Sequence, residues 1–354
     1  MDRLSYINTF LSLNLPQKLV IPQCDEPTFE VGVVLNNVYI YHTTLEAIGT
    51  TGYFYDLNVI VHEYMKSHSV AFGKLEFNVF HEDGMASAET QVVYSTIASG
   101  EEYDDDFLRS SYLTTRSFYT IPRGYTQYVA FFCQEDEQSP YGSMQLTVQY
   151  DDGSVHTVEI EHILYDFRTA RVYSFLINSS SIEYTLSQVF SNQPMKVLGG
   201  SVIHGNRHLQ FYFVDDIPQM YFLFYNAFNI MEYIYIYGTK TLKFDTSMKE
   251  AVVNGSLIPY NRSSERKYQV ETVPLSSEEA LWFNQFLESP RVIYLINADF
   301  DDNVLISDVS SEISDSAKEQ TIIKFSYRLS CQHDWHVSPY FDQVFNRNFN
   351  QPFQ

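Results

Sequence analysis

Residues 29–45 read FEVGVVLNNVYIYHTTL, a run crowded with β-branched and aromatic side chains and nearly free of charge. Such side chains fit a pleated, half-buried surface better than a helix. The same texture continues in FYDLNVIVHEYM at 54–65 and AFGKLEFNVFHEDG at 71–84, with Gly, Asn, Asp and Ser between the runs at positions that close turns. Together these stretches predict a β domain over 1–115. Ahead of them, Leu4, Ile7, Phe10 and Leu11 follow Asp2 at helical spacing and stop at Pro16, which predicts a short leading helix.

Working outward, the acidic stretch EEYDDD at 101–106 is a natural break, because clustered like charges resist packing. Strand-like text then resumes in RSFYTI at 116–121 and QYVAFFC at 127–133. MQLTVQY and SVHTVEI flank Asp151, Asp152 and Gly153, a strong local signal for a hairpin. A second β-sandwich domain is expected over 116–214. A third β domain, 215–337, runs from QMYFLFYNAF and EYIYIYG through KYQVETV to VIYLIN, VLISDV and TIIKFSYRLS. Inside it lies the one main helix of the reading, at about 276–289. Ser276 and Glu279 form a capping box there, Leu281, Trp282, Phe286 and Leu287 an apolar face, and Pro290 a stop. The expected class is all-β, with two or three β-sandwich or jelly-roll-like domains and an aromatic tail at 338–354. No short repeat of fixed period points to a solenoid or propeller.

Composition narrows the function. At 354 residues, with 45% hydrophobic and 19% charged side chains, the chain has apolar surface enough for several packed cores. Its formal net charge of −22 would repel a phosphate backbone, so no nucleic-acid partner is expected. No window reaches the roughly 18 apolar residues of a membrane span. The opening residues lack the pattern of an export signal, and the expectation is synthesis and assembly in the host cytoplasm. Cys24, Cys133 and Cys331 are an odd count with no close pair, which argues against a disulfide framework or a cysteine zinc site.

The sequence has no phosphate loop, no dinucleotide fingerprint and no nucleophile elbow. His62 and His68 in HEYMKSH are spaced too widely for a zinc-binding helix turn, though on a strand they could share a face. His333 and His336, with Asp334 between them, lack an identifiable third ligand. Asp299, Asp301, Asp302 and Asn303 imitate the start of a calcium loop, but Val304 stands where Gly is required. Asp104, Asp105 and Asp106 read as a solvated turn. No catalytic residue, cofactor or metal site is therefore assigned, and the chain is not expected to be an enzyme. Tyr233, Tyr235 and Tyr237 alternate with Ile234 and Ile236, which suits an aromatic cross-strand ladder or a subunit contact, and also a sugar platform.

Phe224, Asn226, Phe228, Glu232 and Gly238 in FLFYNAFNIMEYIYIYG stand in an order that resembles a known family. Arg266, Tyr268 and Val270, the helix over 279–287, and then Ser289, Pro290, Val292 and Tyr294 continue it. The family comprises tail-associated structural proteins of phages and prophages of gut Bacteroidetes. A second similarity to it runs through RSFYTIPRGYTQYVAFF and LTVQYDDGS, whereas the N-terminal third departs from the pattern. The resemblance implies a subunit of the tail or baseplate of a virion, a ring or hub component, with no catalytic residues to carry over. Its partners would be copies of itself and other virion structural proteins, without membrane insertion, and a host surface glycan is a further candidate. Phe341, Phe345, Phe349 and Phe353 recur every four residues in the tail and join the three tyrosines as candidate assembly contacts. Two rival readings remain open. A carbohydrate-binding β-sandwich surface module needs an exposed aromatic platform, and a glycoside hydrolase needs two carboxylates facing across a cleft.

Because each His and Asp cluster lacks a complete ligand set, a chelator is expected to leave the melting temperature unchanged. A fall in melting temperature that calcium or zinc restores would show that one of the clusters holds an ion.

Overall fold

The computed structural model describes residues 9–22, 27–81, 84–97, 105–133, 141–163, 171–190, 195–253, 256–295, 301–310 and 320–330. Most of the described residues lie in strands and few in helices, so the class is all-β. Residue contacts divide the chain into two units. The first comprises Met1–Pro218, Phe222–Tyr235 and Trp282–Arg291, and the second Gln219–Tyr221, Ile236–Leu281 and Val292–Gln354.

The first unit begins with β1 (Thr9–Leu11), β2 (Lys18–Pro22), β3 (Thr28–Leu35), β4 (Val38–Glu46), β5 (Thr51–Tyr55), α1 (Leu57–Ser67), β6 (Phe72–His81) and β7 (Gly84–Val93). Five of these strands form a sheet in the order β1-β7-β6-β3-β4, and β2 pairs with β5. The stretch 29–45 forms the β3–β4 hairpin, with β4 at the edge of that sheet. Asn36 and Asn37 form the two-residue loop and take φ of 49° and 65°. A tight hairpin needs positive φ at both positions, which Asn tolerates better than most residues. Phe29, Val31, Val33 and Leu35 point from β3 into the core at a period of two, where Leu75, Phe77 and Val79 of β6 join them.

Two expectations fail here. FYDLNVIVHEYM is not one strand, because β5 ends at Tyr55 and α1 follows. Leu57, Val61 and Met65 recur every four residues and bury one helical face in that core, and this outweighs the β-branched character of Val59, Ile60 and Val61. In the expected leading helix, residues 9–11 instead pair in parallel with β7. Phe10 and Leu11 are consecutive, buried, and belong to different apolar clusters, a division that the alternating geometry of a strand permits.

The first unit continues with α2 (Asp105–Ser110), β8 (Phe118–Pro122), β9 (Thr126–Cys133), β10 (Tyr141–Tyr150), β11 (Val155–Ile163), β12 (Arg171–Asn178), α3 (Ser179–Val189), β13 (Met195–His204) and β14 (Arg207–Val214). The sheet order is β11-β10-β13-β14-β8, and β9 pairs with β12. The two sheets and α3 share one core that includes Ile121, Phe131, Leu146, Ile177, Leu186, Val197 and Phe211. The expected hairpin at 151–153 joins β10 to β11. There the Asp152 carboxylate accepts from the Ser154 amide at 2.8 Å. The helix α3, absent from the expectations, is capped by Asn178, whose side chain accepts from the Ser181 amide.

The second unit is built on β17 (Gly238–Val253) and β18 (Ser256–Thr272), which follow β15 (Met220–Tyr225) and β16 (Met231–Ile236) in the chain. Next come α4 (Ser277–Glu288), β19 (Val292–Leu295), β20 (Asp301–Ser310) and β21 (Lys324–Leu329). Within this unit the strand order is β19-β20-β21-β18-β17. The expected capping box starts α4: the Ser276 amide donates to Glu279 Oε2 at 3.0 Å and the Glu279 amide to Ser276 Oγ at 3.3 Å. β17 and β18 pair from Gly238 and Thr272 as far as Val253 and Ser256, whereas β21 pairs with β18 only from Tyr268 to Glu271. Among the described residues, the hairpin beyond that short overlap is a two-stranded arm.

In β13, a Cβ at Gly200 would stand 2.4 Å from the Gln145 carbonyl oxygen, too close for any neighbour to yield cheaply. Gly200→Ala is therefore expected to destabilise the first unit by about 2 kcal/mol, read by denaturant unfolding. An unchanged midpoint would mean that β10 and β13 do not approach as described.

Candidate functional site

The most constrained chemistry lies in the first unit around Glu232. Along β16, residues 232, 234 and 236 are buried while 231, 233 and 235 are not, so Glu232 stands in a row that should be apolar. One carboxylate oxygen accepts from Asn226 Nδ2 at 2.6 Å and the other from Trp282 Nε1 at 2.8 Å. Thr114 and Tyr119 also hydrogen-bond to it. Loss of water pushes the Glu232 pKa above the usual carboxylate range, and these donors only partly oppose it. The Tyr119 hydroxyl, 2.7 Å from Thr114 Oγ1, is likewise held well above its ordinary pKa, first by burial and then by the Glu232 charge. The buried Arg116 guanidinium lies over the Trp282 ring at 4.8 Å, and its Nε donates to the Phe118 carbonyl.

Asn226 carries this network into the backbone. Its Nδ2 also donates to the Leu113 carbonyl at 2.8 Å, and its Oδ1 accepts from the amides of Phe228 and Ile230. That closes the 226–230 loop and sets Asn229 at φ 55°, from which its Nδ2 reaches the carbonyls of Met65 and Val70. Gln285 of α4 accepts from the Ala227 amide and donates to Thr115 Oγ1. Held by the Asn226 and Trp282 donors, with the hydrogen-bonded Thr114 and Tyr119 hydroxyls beside it, and closed to solvent, Glu232 clamps chain segments together. A general acid would need a route to substrate.

Two other polar clusters have the same character. Ser12 Oγ lies 3.0 Å from His62 Nδ1, the spacing of a nucleophile and its base. Ser12 is buried, however, and its hydroxyl lies within bonding distance of both the carbonyl and the amide of Ser95. All three contacts are satisfied when the hydroxyl donates to the Ser95 carbonyl and His62 Nδ1 donates to Ser12, the reverse of base activation. Burial lowers the His62 pKa, and it pushes that of Tyr94, stacked on the imidazole, up to about 12. The fully buried Arg207 donates to the carbonyls of Leu108 and Phe132 and to His204 Nδ1.

The residues singled out in the sequence scatter. His62 is on α1, and His68, just past its end, stacks on Tyr64. Asp301, Asp302 and Asn303 open β20. Asp105 and Asp106 open α2. Cys133 is buried in the second core of the first unit. Among the described residues, no three His, Cys, Asp or Glu side chains gather closely enough to hold a metal ion. Tyr233 stacks on Tyr128 at 5.4 Å and Tyr235 packs edge-on against Tyr125, so both belong to an aromatic ladder inside the first unit. Tyr237 is partly buried in the second. Cys24, Asp104, Asp299, Cys331, His333, Asp334, His336, Phe341, Phe345, Phe349 and Phe353 lie outside the described residues.

In the second unit the outstanding surface is the arm, which the sequence reading passed over. Leu242, Phe244, Met248 and Leu257 are all exposed on it, Phe244 by 57% and Leu257 by 68%. A local signal existed, since Asn254 and Gly255 form the strongest two-residue hairpin pair.

No family model and no curated protein matches the sequence. Among solved structures, the chain is similar to the full extracellular region of plexin A4, domains 1 to 8, at 9% identity and a TM-score of 0.19. The similarity covers 92% of this chain and 36% of that one, so the chain spans about a third of the structure it matches. Overlap at that score carries no argument about fold or activity.

Glu232→Ala leaves the Asn226, Trp282 and Tyr119 donors without an acceptor and is expected to cost roughly 3 kcal/mol. Its pH dependence has a defined sign. Because the folded pKa of Glu232 is raised, its contribution is fully present below the unfolded carboxylate pKa and declines as pH rises through the folded one. The stability gap between the wild type and Glu232→Gln should therefore narrow with rising pH in parallel denaturation series. A gap that widens would contradict a desolvated carboxylate.

Proposed function

We propose that this chain is a structural subunit of the tail or baseplate of a phage virion. In this reading it acts by assembly rather than catalysis and contacts copies of itself and other virion proteins. The observation that carries the reading is the β17 and β18 arm, which extends past its own sheet with exposed apolar side chains. A monomer gains nothing from such an element, whereas subunit interfaces draw on apolar and aromatic surface of this kind. The resemblance to tail-associated proteins supports the same reading, since its residues hold structural positions. Asn226, Glu232 and the α4 helix form the buried clamp, and Tyr268, at the root of the arm, stacks on Tyr327.

The carbohydrate-binding alternative draws on a different observation. Tyr39, Tyr41 and Tyr55 are exposed in the first unit, and Lys18 lies over the Tyr53 ring.

In a host carrying the gene, an antibody against this chain is expected to label the tail or baseplate of released particles in electron micrographs. A chain abundant in the lysate but absent from purified particles would overturn the proposal, and specific retention on a glycan array would favour the alternative.

A further inference from the structure

The arm is amphipathic in a way that its register defines. Leu242, at the root of the arm, Phe244 and Met248 share one face of β17 by the period of two, and beyond the register shift at Lys249 and Glu250, Leu257 of β18 is exposed near the tip. Opposite Phe244 stands Arg266, whose guanidinium lies over the Phe244 ring at 5.9 Å, and opposite Met248 stands Arg262. One face thus combines exposed apolar side chains with positions held by arginine, the residue types enriched in the cores of protein interfaces. The 11 residues of β17 beyond the overlap with β21, 243–253, span about 35 Å, and an isolated two-stranded hairpin is marginally stable in water. An arm of this length is better accounted for by a surface that receives it.

Charge indicates which surface. Residues 243–267, the arm beyond the overlap with β21, hold five of the 22 Lys and Arg but only three of the 44 Asp and Glu, so the arm carries +2 and the rest of the chain −24. Every copy therefore presents a basic, apolar arm together with a strongly acidic body. We infer that the arm docks on the acidic body of a second copy of this chain, in a head-to-tail contact through which subunits join. Such a contact is heterologous, so repeating it closes a ring or propagates a filament. The inference rests on the assembly reading and names the element that performs it.

The full-length chain tests this by its molar mass in light scattering over a range of concentration and salt. The wild type is expected to self-associate and to weaken about tenfold or more as salt screens the pairing. The double variant Phe244→Ser with Met248→Ser is expected to be monomeric with an unchanged melting temperature, because neither side chain is buried in the monomer. The charge reversal Arg262→Glu with Arg266→Glu provides a second test that leaves the apolar residues in place. A photo-crosslinker at position 257 should link to acidic segments of another copy. A wild type that stays monomeric, variants that assemble normally, or crosslinks confined to a different protein would each overturn the inference. Particle labelling fails or succeeds independently: normal assembly of the variants removes the arm contact and leaves the virion reading, whereas arm-dependent oligomers absent from particles do the opposite.

Discussion

A carboxylate without water depends entirely on the donors that the protein supplies. Glu232 is in that position, and its donors are Asn226 and Trp282, with the Thr114 and Tyr119 hydroxyl pair, more than a hundred residues away in the chain, beside it. The cost of desolvating an ion makes the arrangement cooperative, since removing any donor leaves the others around a poorly satisfied charge. Asn226 extends that cooperativity into the backbone: the atoms that meet Glu232 and Leu113 also close the 226–230 loop, and the closed loop delivers Asn229 to the end of α1. The carboxylate, the loop and the packing of the strands and helices around them in the first unit thus form one linked system.

The Ser12 and His62 pair and the Arg207 cluster follow the same logic. Side-chain types associated with catalysis are here committed to backbone groups, Ser12 to Ser95 and Arg207 to Leu108 and Phe132. A buried hydroxyl whose proton already has an acceptor is a poor nucleophile, however close an imidazole lies. Spacing alone would have suggested a reactive pair, and burial and proton placement change its meaning.

Polar chemistry in the interior is matched by apolar chemistry left outside. In the first unit, buried polar side chains such as Asn226, Asn229 and Arg207 are met through contacts that span the chain, as in the pairing of Asn229 with Met65. The arm of the second unit does the reverse, holding Phe244, Met248 and Leu257, with Leu242 at its root, exposed on a hairpin that, beyond that root, pairs with no third strand among the described residues.

What the amino-acid sequence determined by itself is local. The Asp152 and Gly153 turn set the hairpin of β10 and β11, and the capping box of Ser276 and Glu279, with Pro290 beyond, set α4. The abundance of Tyr, Phe and β-branched residues was enough for the all-β class. Each of these signals acts across a few residues, within reach of its own backbone. Tertiary structure alone decided that 57–67 would coil although its residues favour strands, because burying Leu57, Val61 and Met65 together outweighed a propensity of tenths of a kcal/mol. It also gave Glu232 its role. That residue is legible in the sequence as a charge misplaced in an apolar row, but Thr114 and Trp282 come within bonding distance only once the strands have paired. A charge can be neutralised by partners anywhere in the chain, and only the folded geometry selects them.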